Sequence, residues 1–291
     1  NNEIEKNEEY LENRKRLIVE DKLWINQNAS ASNKRTTIWI PIVVHVIHRT
    51  NHSNIGSGTN ISDARIEDAI RILNEDYSKT NPEFPNPPRN TFLNSSAAST
   101  LQFCLATIDP SGNPTNGITR TATTQTNWDA DDQGGWGSDG EANAMKKTSS
   151  GGIDSWDYQR YLNIWVCDLT NSQSGGMTLG YAYLPGLPSS SWNDQTWKDG
   201  LVVDFQWFGT IQGASGDSRT ATHEIGHYLG LNHTFCESQS GGCCDNDDSN
   251  VDDTPLCYDS NNDGPYFGPV TSSTNNNTCN DIGQGFSSDL L

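Results

Sequence analysis

The chain has 291 residues, of which 37 are acidic and 18 are basic, so its formal net charge is −19. This charge excludes nucleic acid and anionic membranes as expected partners, because both are bound through basic patches. No apolar run approaches the ~20 residues of a membrane-spanning helix, and the polar residues from Asn1 to Glu5 do not form a signal peptide. The length suffices for one large domain or two subdomains with a buried core, and we expect a monomer.

Residues 1–36 are rich in charge and contain a helical run from Glu5 to Trp24, followed by a polar linker. Two interpretations remain open for this region, an ordinary N-terminal extension and a propeptide. A propeptide could not cap a metal with a thiol, because no cysteine precedes Cys104, but an aspartate or glutamate could do so. Lys34-Arg35 is a candidate activation cleavage site.

An almost continuously apolar, β-branched segment, Thr37–His48, predicts a strand buried on both faces. We expect His45 and His48 to pack within the sheet rather than to bind a metal. Apolar residues at helical spacing predict a helix over Ser62–Lys79. Further strands are predicted at Leu101–Ile108, Tyr161–Leu169, Thr178–Leu184 and Leu201–Phe205.

The segment Thr121–Trp156 is rich in Gly, Asp, Ser and Thr, which predicts a long surface loop with a short helix near Ala142–Lys147. The strand Thr178–Leu184 runs into Pro185-Gly186, which is consistent with a strand at the edge of a sheet. Cys104 and Cys167 fall in predicted strands that could be neighbours, so a disulfide and two buried thiols both remain open.

Residues His223 to His233 form the pattern H-E-x-x-H-x-x-G-x-x-H. On a helix, His223 and His227 share one face and can reach one cation. Gly230 can adopt a positive φ, so the helix can end there and the chain can return with His233 as a third ligand. Three imidazoles with one open position are typical of catalytic zinc, because a structural zinc site is closed by four protein ligands. We expect Glu224 to act as general base toward the water on the metal.

After His233 the chain becomes rich in Cys, Asp, Asn, Gly and Ser, with little periodicity. Carboxylates on an irregular loop suit Ca²⁺, and the candidate ligands are Asp245, Asp248, Asp253 and Thr254. A solvated acidic loop is the alternative. The cysteines of this region suggest disulfides in an oxidising compartment, although zinc ligation competes with that interpretation; they are Cys236, Cys243, Cys244, Cys257 and Cys279, and their connectivity is open.

The zinc motif and several other stretches resemble the pappalysin family of metzincins, most closely its smaller bacterial, ulilysin-like members. The other stretches are His233-Thr234-Phe235, Tyr161 to Val166, Gly180-Tyr181-Ala182 with Pro185-Gly186, Asp253-Thr254-Pro255 and Ile40 to Val46. The resemblance implies an α+β, metzincin-type protease of two subdomains. The upper subdomain (37–235) would contain a twisted, mainly parallel sheet, a backing helix and the active-site helix. The small, irregular lower subdomain would begin in 236–291 and be stabilised by disulfides and calcium.

The resemblance also implies a function, a secreted zymogen of a zinc endopeptidase that cleaves proteins or peptides. Substrate is expected to lie along the edge strand at Leu179, Gly180, Tyr181 and Ala182, adding to the sheet through backbone hydrogen bonds. Metzincins carry a methionine-containing turn after the third histidine, whereas Met145 and Met177 both precede it here. We therefore expect that the sequence lacks this C-terminal piece. The alternatives are an inactive, protease-like binding module that keeps zinc, and a zinc hydrolase of small amides.

Overall fold

The computed structural model describes residues 7–28, 36–82, 97–132, 134, 140–172, 177–216 and 218–233. The chain divides into two compact units, one of residues 1–78 and 99–229 and the other of residues 79–98 and 230–291. All the helices and strands below belong to the first unit. Among the described residues, no helix combines the length and the apolar character needed to cross a membrane.

The described part of the chain alternates between strands and a few helices. In chain order, the elements are α1 (Glu8–Asn28), β1 (Ile38–Arg49), α2 (Asp63–Ser78), β2 (Leu101–Leu105), β3 (Ile118–Thr123), β4 (Trp128–Asp129), α3 (Glu141–Ala144), β5 (Leu162–Cys167), β6 (Leu169–Thr170), β7 (Gly180–Ala182), β8 (Ser189–Ser190), β9 (Asn193–Asp194), β10 (Leu201–Asp204) and α4 (Thr220–Tyr228). Short 3₁₀ turns cover Thr148–Ser150, Thr196–Lys198 and Phe205–Trp207.

A six-stranded sheet forms the centre of the first unit, in the order β2-β1-β5-β10-β7, with β3 also paired to β1. The β1 strand pairs in parallel with β2, β3 and β5, and β5 pairs in parallel with β10. Only the edge strand β7 runs antiparallel to its neighbour, β10. The mixed α+β class and the mainly parallel sheet predicted from the sequence are therefore confirmed.

Both faces of the sheet are covered, which explains why its central strands are mostly apolar. Every residue of β5 and β10 is buried. One face packs against α2 and α4 through Ile66, Leu73 and Ile225. The other face packs against Trp128 of β4 and against Met145, which lies between β4 and β5; both are buried. The helix α4, which contains His223 and His227, therefore lies on the same side of the sheet as α2.

Three details of the sheet differ from the sequence-based expectation. The β2 strand ends at Leu105 rather than Ile108, because Ile108 instead forms an isolated bridge to Pro114 across the Asp109 turn. The predicted loop Thr121–Trp156 begins inside a strand, β3, and also contains β4. Cys104 and Cys167 are free thiols, since β1 lies between their strands, β2 and β5. Of the two alternatives left open, the disulfide is therefore excluded; Cys167 is buried and Cys104 half-buried.

The buried His45 of β1 is a packing residue, as expected. Its side chain is fully buried, and its ring nitrogens lie 2.7 Å from Thr119 Oγ1 and 3.0 Å from Asn163 Oδ1. His48 is also buried, with Nδ1 3.1 Å from the Arg49 carbonyl oxygen. Burial lowers the pKa of His45 to about 4. The folded protein therefore holds His45 in its neutral form.

We predict that replacing His45 with glutamine flattens the dependence of stability on pH. Between the usual pKa of about 6.5 and the folded pKa of about 4, the unfolded chain binds more protons, so His45 destabilises the fold as the pH falls. The free energy of unfolding of the wild type, relative to His45→Gln, should fall by roughly 3 kcal/mol from pH 7 to pH 4. Asp199 and Asp204, whose pKa values burial raises to about 6, act in the opposite direction but are common to both proteins.

Urea denaturation in the presence of EDTA measures this difference without a contribution from bound metal. The matched control is His52→Gln, which changes a half-buried histidine outside the sheet. A wild-type-minus-variant difference for His45→Gln that stays constant over this pH range would contradict the prediction.

Candidate metal centre

The first turn of α4 is held in place by the C-terminal end of α2. The Thr222 hydroxyl donates to Asp76 Oδ2 at 2.8 Å, and Arg219 Nε donates to Asp76 Oδ1 at 3.4 Å. The Tyr77 hydroxyl donates to the Thr222 carbonyl oxygen at 3.4 Å. A carboxylate at this end of the helix also interacts favourably with the helix dipole. Because Ile225 faces the core, these contacts direct the opposite face of the helix, with its histidines, outward.

Three histidines come together where α4 ends. The helix stops at Tyr228, and Gly230 adopts a φ of 93°, which turns the chain as the sequence predicted. His223, His227 and His233 each offer a nitrogen, and these atoms lie within 4.8 Å of one another. No other group of three potential ligands of this kind occurs among the described residues.

The donor set of this site fits zinc. Nε2 of His223 lies 3.0 Å from Nε2 of His227, and the two rings are nearly perpendicular, at 89°. Nitrogens on a tetrahedral zinc at ~2.0–2.1 Å are about 3.4 Å apart, so small side-chain rotations would accommodate the ion. His223 is exposed, whereas His227 and His233 are half-buried, so the site faces solvent on one side.

Glu224, next to the first histidine, is only 6% exposed. Burial raises the pKa of its carboxyl to about 8. A divalent cation at the neighbouring histidines would favour the ionised form again. The environment of Glu224 therefore suits a group that has to accept and then return a proton near neutral pH.

The edge strand β7 lies directly against the helix that carries Glu224. A Cβ atom at Gly180 would lie 3.1 Å from Glu224 Cγ, 2.9 Å from Thr220 Cγ2 and 2.9 Å from the Val202 carbonyl oxygen. Only a residue without a side chain permits this approach. The four residues expected to bind substrate, Leu179–Ala182, thus lie along β7 and just before it. The strand is shorter than the predicted Thr178–Leu184, because its ladder to β10 covers only Gly180–Ala182.

One feature beside β7 was not anticipated from the sequence, the position of α1. Tyr10 is buried against Tyr183 and Leu187, which follow β7. The Glu9 carboxylate accepts hydrogen bonds from the Ser189 backbone at 3.3 Å and the Ser190 hydroxyl at 2.9 Å. The sequence feature that could have predicted this contact is Tyr10, the one aromatic residue among the first 20, in a stretch that is otherwise mostly polar.

The remaining predicted site residues lie outside the part of the chain that the structure describes. They are the candidate calcium ligands Asp245, Asp248, Asp253 and Thr254, the cysteines Cys236, Cys243, Cys244, Cys257 and Cys279, and the candidate cleavage site Lys34-Arg35.

Known proteins are similar to this chain in both sequence and fold. A family model described as "Pregnancy-associated plasma protein-A" (Peptidase_M43) matches residues 147–286. The chain is 37% identical to mature mirolysin of Tannerella forsythia in complex with a cleaved peptide, with a TM-score of 0.62 over 77% of this chain and 73% of that one. A promirolysin mutant of the same organism is 34% identical, with a TM-score of 0.64 over 87% of this chain and 73% of that one.

Curated relatives carry the name "Extracellular metalloprotease". That of Pyricularia oryzae is 28% identical over 232 residues, which cover 78% of this chain and 60% of the relative. The chain spans about three fifths of the length of the relatives of this kind that it matches, with 60%, 59% and 63% covered in three of them.

Proposed function

Because the chain belongs to the pappalysin family of metzincin metalloproteases, we propose that it is a zinc endopeptidase that hydrolyses peptide bonds of proteins or peptides. The observation that carries the proposal is the meeting of His223, His227 and His233 beside a buried glutamate and an edge strand. The names of the curated relatives support secretion.

In this proposal His223, His227 and His233 hold the zinc ion, and Glu224 is the catalytic residue. When bound, zinc supplies a Lewis acid that polarises the scissile carbonyl and lowers the pKa of water. The Glu224 carboxylate takes the proton of the attacking water and delivers it to the nitrogen of the leaving amine. Because the Glu224 carboxylate is buried, bulk water is excluded from it and does not compete for the proton.

Substrate would bind in extended form along β7. The inner edge of β7 is paired to β10, and its outer edge faces away from the sheet, with no strand beyond it among the described residues. An added peptide strand would receive backbone hydrogen bonds from Leu179 to Ala182 and would pass next to Glu224. Backbone recognition of this kind orients the chain and leaves side-chain preference to other contacts.

The direct experiment is a digest of a mixed peptide library, read by mass spectrometry with and without phenanthroline. Cleavage that the chelator abolishes and added zinc restores would support the endopeptidase. Zinc binding without any cleavage, both by the chain itself and by Tyr10→Ala, in which α1 is undocked, would overturn it in favour of a binding module. Cleavage of small amides but not of longer peptides would instead indicate a non-proteolytic hydrolase.

We propose further that residues 1–36 are a propeptide, that 37–235 form the upper subdomain and that 236–291 begin the lower one. The contacts of Glu9 and Tyr10 place α1 across the segment that follows the substrate strand. The Asn13 amide also donates to the Gly186 carbonyl oxygen at 3.4 Å. A helix docked there would restrict the approach of a substrate to β7, and cleavage at Lys34-Arg35 would release it.

Undocking α1 should therefore raise the activity of the uncleaved chain. Tyr10 is 4% exposed, so Tyr10→Ala removes a buried aromatic group. This should weaken the packing that holds α1 in place by about 3 kcal/mol or more. Each 1.4 kcal/mol changes the ratio of undocked to docked α1 by a factor of ten. We therefore expect at least a tenfold higher initial rate of peptide cleavage.

The matched control is Trp24→Ala on the same helix, where the side chain is 63% exposed and the rate should not change. The measurement uses Lys34→Ala/Arg35→Ala as background to prevent cleavage at the candidate site. An unchanged rate in Tyr10→Ala, with α1 newly sensitive to a second protease, would contradict the role in latency.

For the lower subdomain we propose structural calcium, bound by Asp245, Asp248, Asp253 and Thr254, and disulfides among the five clustered cysteines. The chemistry of the donors supports calcium, because carboxylate and hydroxyl oxygens are its preferred ligands. The cysteine-rich composition and the extracellular relatives support disulfides.

A further inference from the structure

The last residue of α4, Tyr228, forms a hydrogen bond that the mechanism above does not use. Tyr228 directly follows His227 in the chain, and its ring packs against the hydrophobic core. Its hydroxyl donates to Asp199 Oδ1 at 2.9 Å. The bond therefore fixes the final turn of the helix just before Gly230, where the chain turns toward His233.

Asp199 is itself held at a rigid point of the backbone. It follows the 3₁₀ turn Thr196–Lys198, and its backbone nitrogen donates to the Thr196 carbonyl oxygen at 3.0 Å. At the next residue, Gly200, φ is +114°, and a Cβ atom would lie 2.3 Å from the Asn163 carbonyl oxygen. The backbone that carries Asp199 thus lies directly on β5 and leaves the carboxylate little freedom to move.

A buried lysine also holds the 3₁₀ turn Thr196–Lys198. Lys146 is 1% exposed, and its Nζ donates to the Lys198 carbonyl oxygen at 2.6 Å. The Lys146 Nζ also lies 4.4 Å from the centroid of the Tyr183 ring and 4.8 Å from that of Trp165. Burial raises the pKa of Asp199 to about 6, and the hydrogen bond from the Tyr228 hydroxyl and the electrostatic interaction with Lys146 both oppose this rise. Burial also lowers the pKa of Lys146 well below its usual value. Lys146 therefore acts on Asp199 mainly by holding the turn through its hydrogen bond to the Lys198 carbonyl oxygen.

We propose that Asp199 and Lys146 are positioning residues for the metal centre, acting through Tyr228. Asp199 holds the turn of α4 that carries His227, and Lys146 holds the turn that carries Asp199. The inference rests on the proposed zinc site and extends it to three residues that do not touch the metal. Groups that orient metal ligands in this way commonly change metal affinity by about 10–100-fold.

The test compares Tyr228→Phe, Asp199→Asn, the double variant and Lys146→Met. Zinc affinity is measured by competition with a chromophoric chelator, and the geometry of the site by the visible absorption of the cobalt-substituted protein. Each single variant should bind zinc about tenfold or more weakly and should shift the cobalt spectrum. The double variant should be no weaker than the worse single variant, because both changes remove the same hydrogen bond. With peptide substrate, kcat should fall while KM stays within about twofold.

Matched controls separate positioning from general stability. Tyr161→Phe removes a hydroxyl that donates to the Ile108 carbonyl oxygen at 2.9 Å, and Asp204→Asn alters a buried carboxylate that accepts from the Leu169 backbone at 2.9 Å. Both should lower the Tm of the metal-free protein without changing zinc affinity or the cobalt spectrum.

Wild-type zinc affinity in Tyr228→Phe and Asp199→Asn, or additive losses in the double variant, would overturn the inference. Zinc affinity is measured without substrate, so a chain that binds zinc but cleaves nothing, even after Tyr10→Ala undocks α1, would refute the protease and still decide the positioning role. A wild type that binds no zinc would refute both.

Discussion

Replacing Glu224 with glutamine should lower kcat/KM for peptide cleavage by about 10²–10⁴-fold while zinc remains bound. The amide matches the carboxylate in size but cannot accept the proton of the attacking water. The loss corresponds to roughly 3–5 kcal/mol of transition-state stabilisation. Because Glu224 is 6% exposed and its pKa is raised to about 8, the neutral side chain should not destabilise the metal-free fold.

The measurement pairs the cleavage of a fluorogenic peptide with the zinc content determined by atomic absorption. Glu67→Gln on α2 is the matched control, because Glu67 is exposed and lies outside the site, and its variant should cleave at the wild-type rate. Wild-type cleavage by Glu224→Gln would show that another group moves the proton, and the mechanism would be wrong.

Replacing His227 with alanine should remove both zinc binding and activity. Apparent binding free energies of zinc in proteins are about 10–16 kcal/mol and are shared among a few ligands. Losing one ligand should therefore cost roughly 3–5 kcal/mol of binding free energy, or about 10²–10⁴-fold in affinity. Zinc at 1,000 times its wild-type dissociation constant stabilises the fold by about 4 kcal/mol, and this stabilisation should shrink to about 1.4 kcal/mol or less in the variant.

Thermal unfolding with and without added zinc measures this loss, and the peptide assay run in parallel should give no signal above background. His52→Ala is the matched control, since His52 Nδ1 lies 3.0 Å from Thr59 Oγ1 and, within the part of the chain that the structure describes, His52 is not in the group of potential metal ligands. An undiminished zinc-dependent rise in Tm for His227→Ala would exclude His227 as a ligand.

Features that depend on local spacing could be predicted from the sequence alone. The buried strand β1, the helix α2 and the three-histidine motif all follow from residues at most twelve or so positions apart, whose geometry in a strand or helix is set by the backbone. Gly230 could be assigned to the end of α4 for the same reason, and it adopts the expected positive φ. The sequence also indicated the edge position of β7, because Pro185-Gly186 cannot continue a paired strand.

Features that depend on partners far apart in the chain were decided only by the tertiary structure. The polar strand β3 shows no apolar alternation; it forms because it pairs with β1 and because Arg120 donates to Asn60 Oδ1 at 2.6 Å and the Ile61 carbonyl oxygen at 2.8 Å. A lysine in a polar loop, Lys146, is expected at the surface, yet it is buried because the Lys198 carbonyl and aromatic rings meet it there. Burial of an ionisable group depends on such distant partners, so only the folded chain could reveal the support that Asp199 offers to the metal centre.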